Sequence, residues 1–234
     1  MQNAHGVGDK CYIIAEIGLN HDGDILKALS LVDRAVEAGA DCVKFQAIEE
    51  LGEYPQYSLA WEELAAVKDY ATNEGIAWLC TPFSPEDAKW LRTVDDRCKV
   101  ASKHKRSGVW YDRLIHAIAD EHFAEVFLST GLMTDEEVDY AVERLRPAVI
   151  MTVTYGHTYD HACLARLKRF GKFAPRVGIS DHAPGYANVL AAVALGATVV
   201  EKHLTYDPKA KGPDHAISLD PTEFAAMVEA VRRA

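Results

Sequence analysis

Polar side chains that could bind an anion stand at the ends of several apolar runs in this sequence. Lysines occur within two such runs, at Lys44 and Lys99, where burial would require a partner for each ammonium group. Uncharged polar groups lie at or beside the ends of these or other runs, at Gln46, Thr81, Ser102, Ser129 and Ser180. Each residue alone has a structural explanation, such as a snorkelling lysine or a helix cap. Together they predict a pocket for an anion, above all a phosphate.

Two histidines, His182 and His203, end two later apolar runs and have Asp181 and Glu201 beside them. A lone histidine is more often structural than a ligand. Two imidazoles on adjacent strands with nearby carboxylates, however, suit a divalent transition metal. We therefore expect a site for Mn²⁺ or Zn²⁺ beside the anion pocket, with room for substrate or water ligands.

The runs that carry these residues are typical of parallel strands buried on both faces, because isoleucine, valine, phenylalanine and leucine fill their interiors. The predicted strands are Cys11–Glu16, Asp41–Gln46, Ala77–Cys80, Cys98–Ala101, Glu125–Ser129, Ala148–Thr152, Arg176–Ser180 and Thr198–His203. Amphipathic helical patterns separate them. Their start signals are Ser84-Pro85 and the capping boxes Thr134-x-x-Glu137 and Asp220-x-x-Glu223. Their stop signals are Gly39, Gly75, Gly171 and Gly196.

Strict alternation of strand and helix predicts an α/β protein with a parallel sheet. Eight units within 234 residues favour a closed (β/α)8 TIM barrel, with residues 1–234 forming a single domain. An open dinucleotide-binding sheet is the main competitor. The first strand-to-helix turn, Gly18–Gly23, does not have the G-x-G-x-x-G spacing, and the sequence contains no Walker A motif.

Composition bounds the class of protein. The chain is 49% hydrophobic and 26% charged, with a formal net charge of −10, which argues against a nucleic-acid binder. No apolar run reaches the length of a membrane span, and the N-terminus lacks the apolar core of a signal peptide. The five cysteines are widely spaced, so we interpret them as reduced core residues of a cytoplasmic protein.

Several motifs follow one another in a characteristic order. AEIGLNHDGD at 15–24 and AGADCVKFQ at 38–46 come first, and TPF at 81–83, KVAS at 99–102 and LSTG at 128–131 follow. The last third carries GISDH at 178–182, AVALGA at 192–197, VEKHLT at 200–205 and GPDH at 212–215. In type and order these motifs resemble those of the sialic acid synthase family. Members of that family are barrels that condense phosphoenolpyruvate to make nine-carbon 2-keto sugar acids. The resemblance extends over nearly the whole chain.

The resemblance implies a role for each matching residue. Phosphoenolpyruvate would be bound by Lys44, Thr81, Lys99, Ser102, Ser129 and Ser180. His182 and His203 would bind the metal, usually Mn²⁺, with Mg²⁺, Co²⁺ or Zn²⁺ as alternatives, and Glu16, Gln46 and Asp214 would be the catalytic residues at the reacting centre. In such enzymes the methylene carbon of phosphoenolpyruvate attacks an aldehyde carbon polarised by the metal, water adds, and phosphate leaves by C–O cleavage. The resemblance also implies a homodimer.

Departures from the family pattern all fall on the acceptor side. Lys103-His104-Lys105-Arg106 replaces a glycine and an acidic residue, and Met151–His157 replaces a segment with histidine, cysteine, tyrosine and proline. The loop after Gln46 is short. The family commonly carries a C-terminal antifreeze-like domain, which we expect this chain to lack because the sequence stops at Ala234, directly after the last barrel helix.

The function predicted from these features is a cytoplasmic, metal-dependent synthase that condenses phosphoenolpyruvate with an atypical aldehyde, without nucleic-acid or membrane partners. Lys103 and Lys105 are interpreted either as a solvated loop or as substrate-binding residues that favour a smaller or negatively charged acceptor. The alternatives are a metal-dependent aldolase or lyase acting on a 2-keto acid, and a non-catalytic barrel that binds a sugar phosphate. The intact lysine and histidine set argues against the second alternative.

Overall fold

A computed structural model describes residues 10–48, 55–102, 108–154 and 161–234. Within these ranges strands and helices alternate from one end of the chain to the other. The strands are β1 (Tyr12–Gly18), β2 (Cys42–Ala47), β3 (Ala77–Pro82), β4 (Arg97–Val100), β5 (Glu125–Ser129), β6 (Val149–Thr154), β7 (Arg176–Asp181) and β8 (Val199–His203). Each lies within two residues, at both ends, of the corresponding predicted strand. The strand predictions are confirmed.

A helix follows every strand. The helices are α1 (Ile25–Glu37), α2 (Trp61–Asn73), α3 (Pro85–Val94), α4 (Gly108–Asp120), α5 (Asp135–Leu145), α6 (His161–Phe170), α7 (Ala187–Ala194) and α8 (Pro221–Arg233). The predicted start signals are confirmed as well. The Ser84 hydroxyl accepts from the backbone N–H of Asp87 at 3.0 Å, and α5 and α8 begin at the two predicted capping boxes.

The eight strands form one parallel sheet in the order β3-β2-β1-β8-β7-β6-β5-β4. The two outer strands of this order, β3 and β4, contact each other and bring the sheet round into a nearly closed ring. Arg97 at the start of β4 also donates to the carbonyl oxygen of Trp78 in β3 at 2.5 Å. The predicted (β/α)8 barrel is therefore confirmed.

Successive side chains of each strand point alternately into the ring and out towards the helices. Most of the outward side chains form one large core with the helices. At the lower end of the barrel interior lies a second apolar cluster, which we call the barrel floor. It consists of Ile14, Cys42, Leu79, Phe127, Val149, Met151 and Val199. The floor residues are at most 2% exposed, so they close the interior from below.

The five cysteines are free thiols, as the sequence predicted. All five cysteines lie in the described part of the chain, none takes part in a disulfide, and four of them are buried. Burial raises the pKa of Cys11 to about 11 and that of Cys42 to about 12, which keeps both as thiols. Over the described ranges, none of the helices combines the length and apolarity that a membrane crossing demands.

Candidate active site

Ionisable and hydroxyl side chains replace the apolar ones directly above the barrel floor, at the carboxyl ends of the strands. In (β/α)8 barrels this is the end at which catalytic residues converge. We call this group the charged layer. It comprises Glu16, Lys44, Gln46, Thr81, Lys99, Ser129, Ser180, His182, Glu201 and His203. The structure thus brings together nine of the sequence-predicted site residues and adds Glu201.

Lys44 of β2 occupies one side of the charged layer. Its Nζ lies 2.7 Å from Glu16 Oε2 on β1 and donates to Thr81 Oγ1 on β3 at 3.2 Å. A second carboxylate, Glu201 Oε2 on β8, lies 3.9 Å from Nζ. Although burial acts against the ammonium group, these two carboxylates raise the pKa of Lys44. Lys44 is therefore a cation throughout the physiological range.

Lys99 of β4 approaches the same carboxylate from the opposite side. Its Nζ donates to Ser129 Oγ at 2.8 Å and lies 3.6 Å from Glu201 Oε2. Burial lowers the pKa of Lys99 to about 8, with Glu201 opposing the shift. Both lysines are at most 4% exposed, so each ammonium group has exchanged nearly all its water for protein partners.

Glu201 joins the two lysines at the centre of the layer. The sequence predicted a carboxylate there, near the histidine pair, but assigned it no role among the site residues. The other oxygen of Glu201 accepts a hydrogen bond from Ser180 Oγ at 2.7 Å. Although burial acts against its charge, Lys44 and Lys99 hold the pKa of Glu201 below its usual value. The signal was available in the sequence, because the two-residue period of β8 puts Glu201 on the same face as His203.

Glu16, Gln46 and Asp214 converge around the backbone of Gly18. Gln46 Nε2 donates to Glu16 Oε1 at 2.9 Å, and the backbone N–H of Leu19 donates to Asp214 Oδ2 at 3.2 Å. Gly18 has a φ of 54°, and a Cβ atom there would lie 2.7 Å from Asp214 Oδ2 and 3.1 Å from both Gln46 Nε2 and Glu16 Oε1. The absence of a side chain therefore lets the three predicted catalytic residues meet.

The carboxyl groups of this trio hold their protons more tightly than usual. Burial, reinforced by repulsion from Glu201 and opposed by Lys44, raises the pKa of Glu16 to about 7. Burial also raises the pKa of Asp214. Near neutral pH, Glu16 is therefore only partly ionised, and two ammonium groups face one full carboxylate and one partial carboxylate. The resulting excess of positive charge favours an anionic ligand.

The two predicted metal ligands lie side by side, His203 as the last residue of β8 and His182 directly after β7. The His182 and His203 ring centroids are 5.3 Å apart, and Asp214 Oδ2 lies 4.0 Å from His203 Nδ1. Burial lowers the pKa of His182 to about 4 and that of His203 well below its usual value, so both imidazoles are neutral and carry a lone pair. His203 Nδ1 is buried and makes no hydrogen bond within the described residues.

These properties fit a pair of metal ligands, because a ligating imidazole must be neutral. Nowhere in the described ranges do three or more histidine, cysteine, aspartate or glutamate side chains form a group that could hold an ion. A metal at His182 and His203 would therefore take further ligands from substrate or water.

Three further residues were predicted for the site, and the structure describes one of them. Ser102 is buried two residues beyond the end of β4. Lys103 and Lys105 lie outside the described residues. The structure therefore brings together the residues predicted for the donor, the metal and the reacting centre, and leaves the two acceptor lysines as a prediction.

Comparisons with known proteins agree with this geometry. The model of the NeuB family matches residues 49–234. An N,N'-diacetyllegionaminic acid synthase of Legionella pneumophila is 32% identical over an alignment 261 residues long, gaps included. The alignment covers 96% of this chain and 72% of that protein. An uncharacterized protein of Methanocaldococcus jannaschii is 35% identical, with 97% of this chain and 72% of that protein covered.

A solved structure is similar over nearly the whole barrel. The N-acetylneuraminic acid (sialic acid) synthetase of Leptospira borgpetersenii, determined in complex with citrate, superimposes with a TM-score of 0.86. The two chains are 29% identical, and the match covers 96% of this chain and 84% of that one. The chain therefore belongs to the NeuB family, and it is a synthase of the sialic acid synthase-like type.

Proposed function

We propose that this enzyme condenses phosphoenolpyruvate with an aldehyde acceptor, giving a 2-keto acid and inorganic phosphate. The observation that carries the proposal is the pairing of two buried lysines, Lys44 and Lys99, about one carboxylate within a ring of hydroxyl groups. Such an arrangement offers fixed positive charge and directional hydrogen bonds to a small polyanion, in a site from which water is largely excluded.

The donor would occupy the side of the charged layer between β2 and β7. Lys44 and Lys99 would bind its phosphate and carboxylate groups, and the hydroxyl groups of Thr81, Ser102, Ser129 and Ser180 would complete the hydrogen bonding. Each ammonium group would then exchange part of its ion pair with Glu16 or Glu201 for an ion pair with the bound anion. The cost of burying the lysines is met within the folded protein before the ligand arrives.

A divalent metal, for which we propose Mn²⁺, would be held by His182 and His203. When bound there it would act as a Lewis acid on the acceptor's carbonyl group. Glu16, Gln46 and Asp214 lie on the adjoining side, around Gly18. Glu16, with a pKa of about 7, can give or take a proton near neutral pH and is our choice for the acid–base group.

The proposed reaction forms one carbon–carbon bond and one carbon–oxygen bond to water, and it breaks the carbon–carbon double bond and the carbon–oxygen bond to phosphate. The methylene carbon of phosphoenolpyruvate attacks the aldehyde carbon, and the new hydroxyl group receives a proton. Water then adds to the carbon that bears the phosphate, and phosphate departs with the C–O bond electrons. Of the two water protons, one balances the proton taken by the new hydroxyl group and the other is released as the keto group forms. Lys44 and Lys99 would stabilise the phosphate as its charge increases.

The acceptor is proposed to differ from that of the related sialic acid synthases. The basic run Lys103-His104-Lys105-Arg106 would favour a smaller or negatively charged aldehyde over neutral N-acetylmannosamine. Steady-state kinetics with N-acetylmannosamine and with phosphorylated and carboxylated aldehydes would test this. Efficient use of the neutral sugar, unchanged when Lys103 and Lys105 are both replaced by alanine, would contradict it.

The function itself is tested by phosphate release from phosphoenolpyruvate in the presence of Mn²⁺. We expect release to require an aldehyde and to equal the amount of 2-keto acid formed. Pyruvate formation from a 2-keto acid, without phosphate release, would instead identify an aldolase. Phosphoenolpyruvate binding without turnover on any aldehyde would identify a binding protein. We further propose a cytoplasmic homodimer, which light scattering during gel filtration would test for its subunit number.

A further inference from the structure

A buried ion pair lies directly behind the proposed metal ligands, on the outer face of the barrel. Asp181 precedes His182 and Lys202 precedes His203, and the strand period turns both away from the barrel interior. Lys202 Nζ donates to Asp181 Oδ2 at 2.9 Å, and both side chains are at most 1% exposed. Asn188 Nδ2 of α7 also donates to Asp181, at 3.3 Å.

Thr154, the last residue of β6, connects this ion pair to His182. Its hydroxyl group donates to Asp181 Oδ1 and accepts from the backbone N–H of His182 at 3.1 Å. Since the single hydroxyl hydrogen is directed to Asp181, an oxygen lone pair faces the amide of His182. The ion pair therefore determines the orientation of the hydroxyl group, and the hydroxyl group holds the backbone of His182.

The backbone carbonyl group of the same threonine fixes which nitrogen of the His182 imidazole carries the proton. His182 Nδ1 lies 3.0 Å from the backbone carbonyl oxygen of Thr154. A carbonyl oxygen can only accept, so the imidazole proton is on Nδ1 and the lone pair is on Nε2. A hydrogen bond of this kind commonly sets the tautomer of a metal-binding histidine.

The network also joins three strand ends, because Thr154, Asp181 and Lys202 lie on β6, β7 and β8. A buried ion pair is seldom needed for stability, since apolar side chains of similar volume often serve as well. Its location behind two adjacent ligands indicates a different use, which is to hold both strand ends in register.

We propose that Thr154, Asp181 and Lys202 are positioning residues that fix the tautomer and direction of His182 and its spacing from His203. The inference rests on the metal site of the proposed function. None of the three side chains needs to touch the metal or the substrate. They act by making the two imidazoles ready to bind before an ion arrives, which would increase metal affinity.

The test compares Thr154→Val with Thr152→Val. Thr152 is equally buried on the same face of β6, but its hydroxyl group donates to the carbonyl oxygen of Cys163 in α6, at 2.8 Å. Mn²⁺ affinity is measured by titration of the metal alone, and thermal stability is measured without metal. We expect both variants to lose similar stability, and only Thr154→Val to bind Mn²⁺ about 10- to 100-fold more weakly. Thr154→Ser should restore affinity.

A second measurement does not depend on metal binding. Nitrogen-15 chemical shifts of His182 should report the Nδ1–H tautomer in the wild type and in Thr152→Val. Valine at position 154 keeps the carbonyl oxygen that accepts from Nδ1 but loses the hydroxyl group that holds the His182 backbone, so Thr154→Val should show a mixture of tautomers. If Thr154→Val fails to fold, the double variant Asp181→Asn with Lys202→Met replaces it in both measurements.

The outcomes separate the two hypotheses. If His182→Ala abolishes Mn²⁺ binding while Thr154→Val binds like Thr152→Val, the positioning inference is overturned and the metal site stands. If the wild type binds no Mn²⁺, the metal site fails, and the tautomer measurement still supports or overturns the positioning role.

Discussion

The barrel floor and the charged layer share the five strands β1, β2, β3, β5 and β8, yet they have opposite energetic character. Along the interior, five of the seven floor residues are followed on the same face by a polar one: Ile14 by Glu16, Cys42 by Lys44, Leu79 by Thr81, Phe127 by Ser129 and Val199 by Glu201. In the floor, fully burying one large apolar side chain stabilises the fold by about 1.5–3 kcal/mol. In the charged layer, burial acts against every ionised group.

The pKa values of Lys99 and Glu16 reflect the free-energy cost of burying a charge. Burial lowers the pKa of Lys99 to about 8 and raises that of Glu16 to about 7, so both groups are less readily charged than they are in water. Shifted pKa values of buried ionisable groups are typical of functional sites. The floor and the core between strands and helices therefore stabilise the barrel, and they offset the free energy that burial of the charged layer costs.

The largest effect on turnover is expected from substitution of the proposed metal ligands. His182→Ala or His203→Ala should reduce turnover by at least about 1,000-fold, because a Lewis acid contributes several kcal/mol to the transition state. Thermal stability should change little, since the ligands carry none of the floor packing. His116, which is exposed on α4, gives the control variant His116→Ala. Full turnover and unchanged Mn²⁺ content in either ligand variant would contradict the assignment.

A floor substitution should show the reverse pattern. Leu79→Ala is expected to lower the free energy of unfolding by about 2–5 kcal/mol, because it leaves a cavity in a closely packed cluster. Its affinity for phosphoenolpyruvate should stay within about threefold of the wild type. Chemical denaturation and calorimetric titration measure the two quantities. A large loss of affinity at full stability would show that floor and layer are not separable.

The lysines of the charged layer should affect binding more than stability. Lys44→Ala or Lys99→Ala removes a charge-assisted contact worth about 1.5–3 kcal/mol, so the dissociation constant of phosphoenolpyruvate should rise about 10- to 150-fold. Lys89→Ala, on the exposed face of α3, is the matched control. Calorimetric titrations with wild-type affinity in both layer variants would refute the anion pocket.

The smallest expected effect on affinity is a pH dependence that distinguishes the two lysines. The Lys99 pKa of about 8 lies below its usual value, so phosphoenolpyruvate should bind more weakly as pH rises through 8. The loss is about fivefold between pH 8 and pH 9 if only charged Lys99 binds the anion. The Lys44 pKa is raised, so Lys44 does not contribute in this window. Affinity that is flat to pH 9, or equally pH-dependent in Lys99→Ala, would contradict this assignment.

Lys99 also has a defined effect on stability. Because its folded pKa is lowered, the neutral lysine is favoured in the folded protein. Its contribution to stability should therefore decrease as pH falls from about 10.5 towards 8. Comparison of wild type and Lys99→Met by denaturation at several pH values measures this change.

Much of this architecture could be predicted from the sequence, because strand burial and helix caps leave local signals. Thr134 with Glu137, for example, identifies the start of α5 without any knowledge of the fold. The side of the barrel to which a residue belongs was harder to predict. Glu201 and Lys202 are adjacent in one apolar run, yet one joins the active site and the other pairs with Asp181 outside it. The two-residue period groups Glu201 with His203, but only the pairing of strands determines which of the two faces is inside.

The barrel floor has a consequence for the order of events in catalysis. A barrel sealed at one end has a single mouth, so every molecule enters and leaves from the same side. A ligand at Lys44 and Lys99 would sit just above that seal. A second substrate bound above it would block its exit. We therefore expect ordered binding, in which the phosphate donor binds before the acceptor and the product bound nearest the floor is released last.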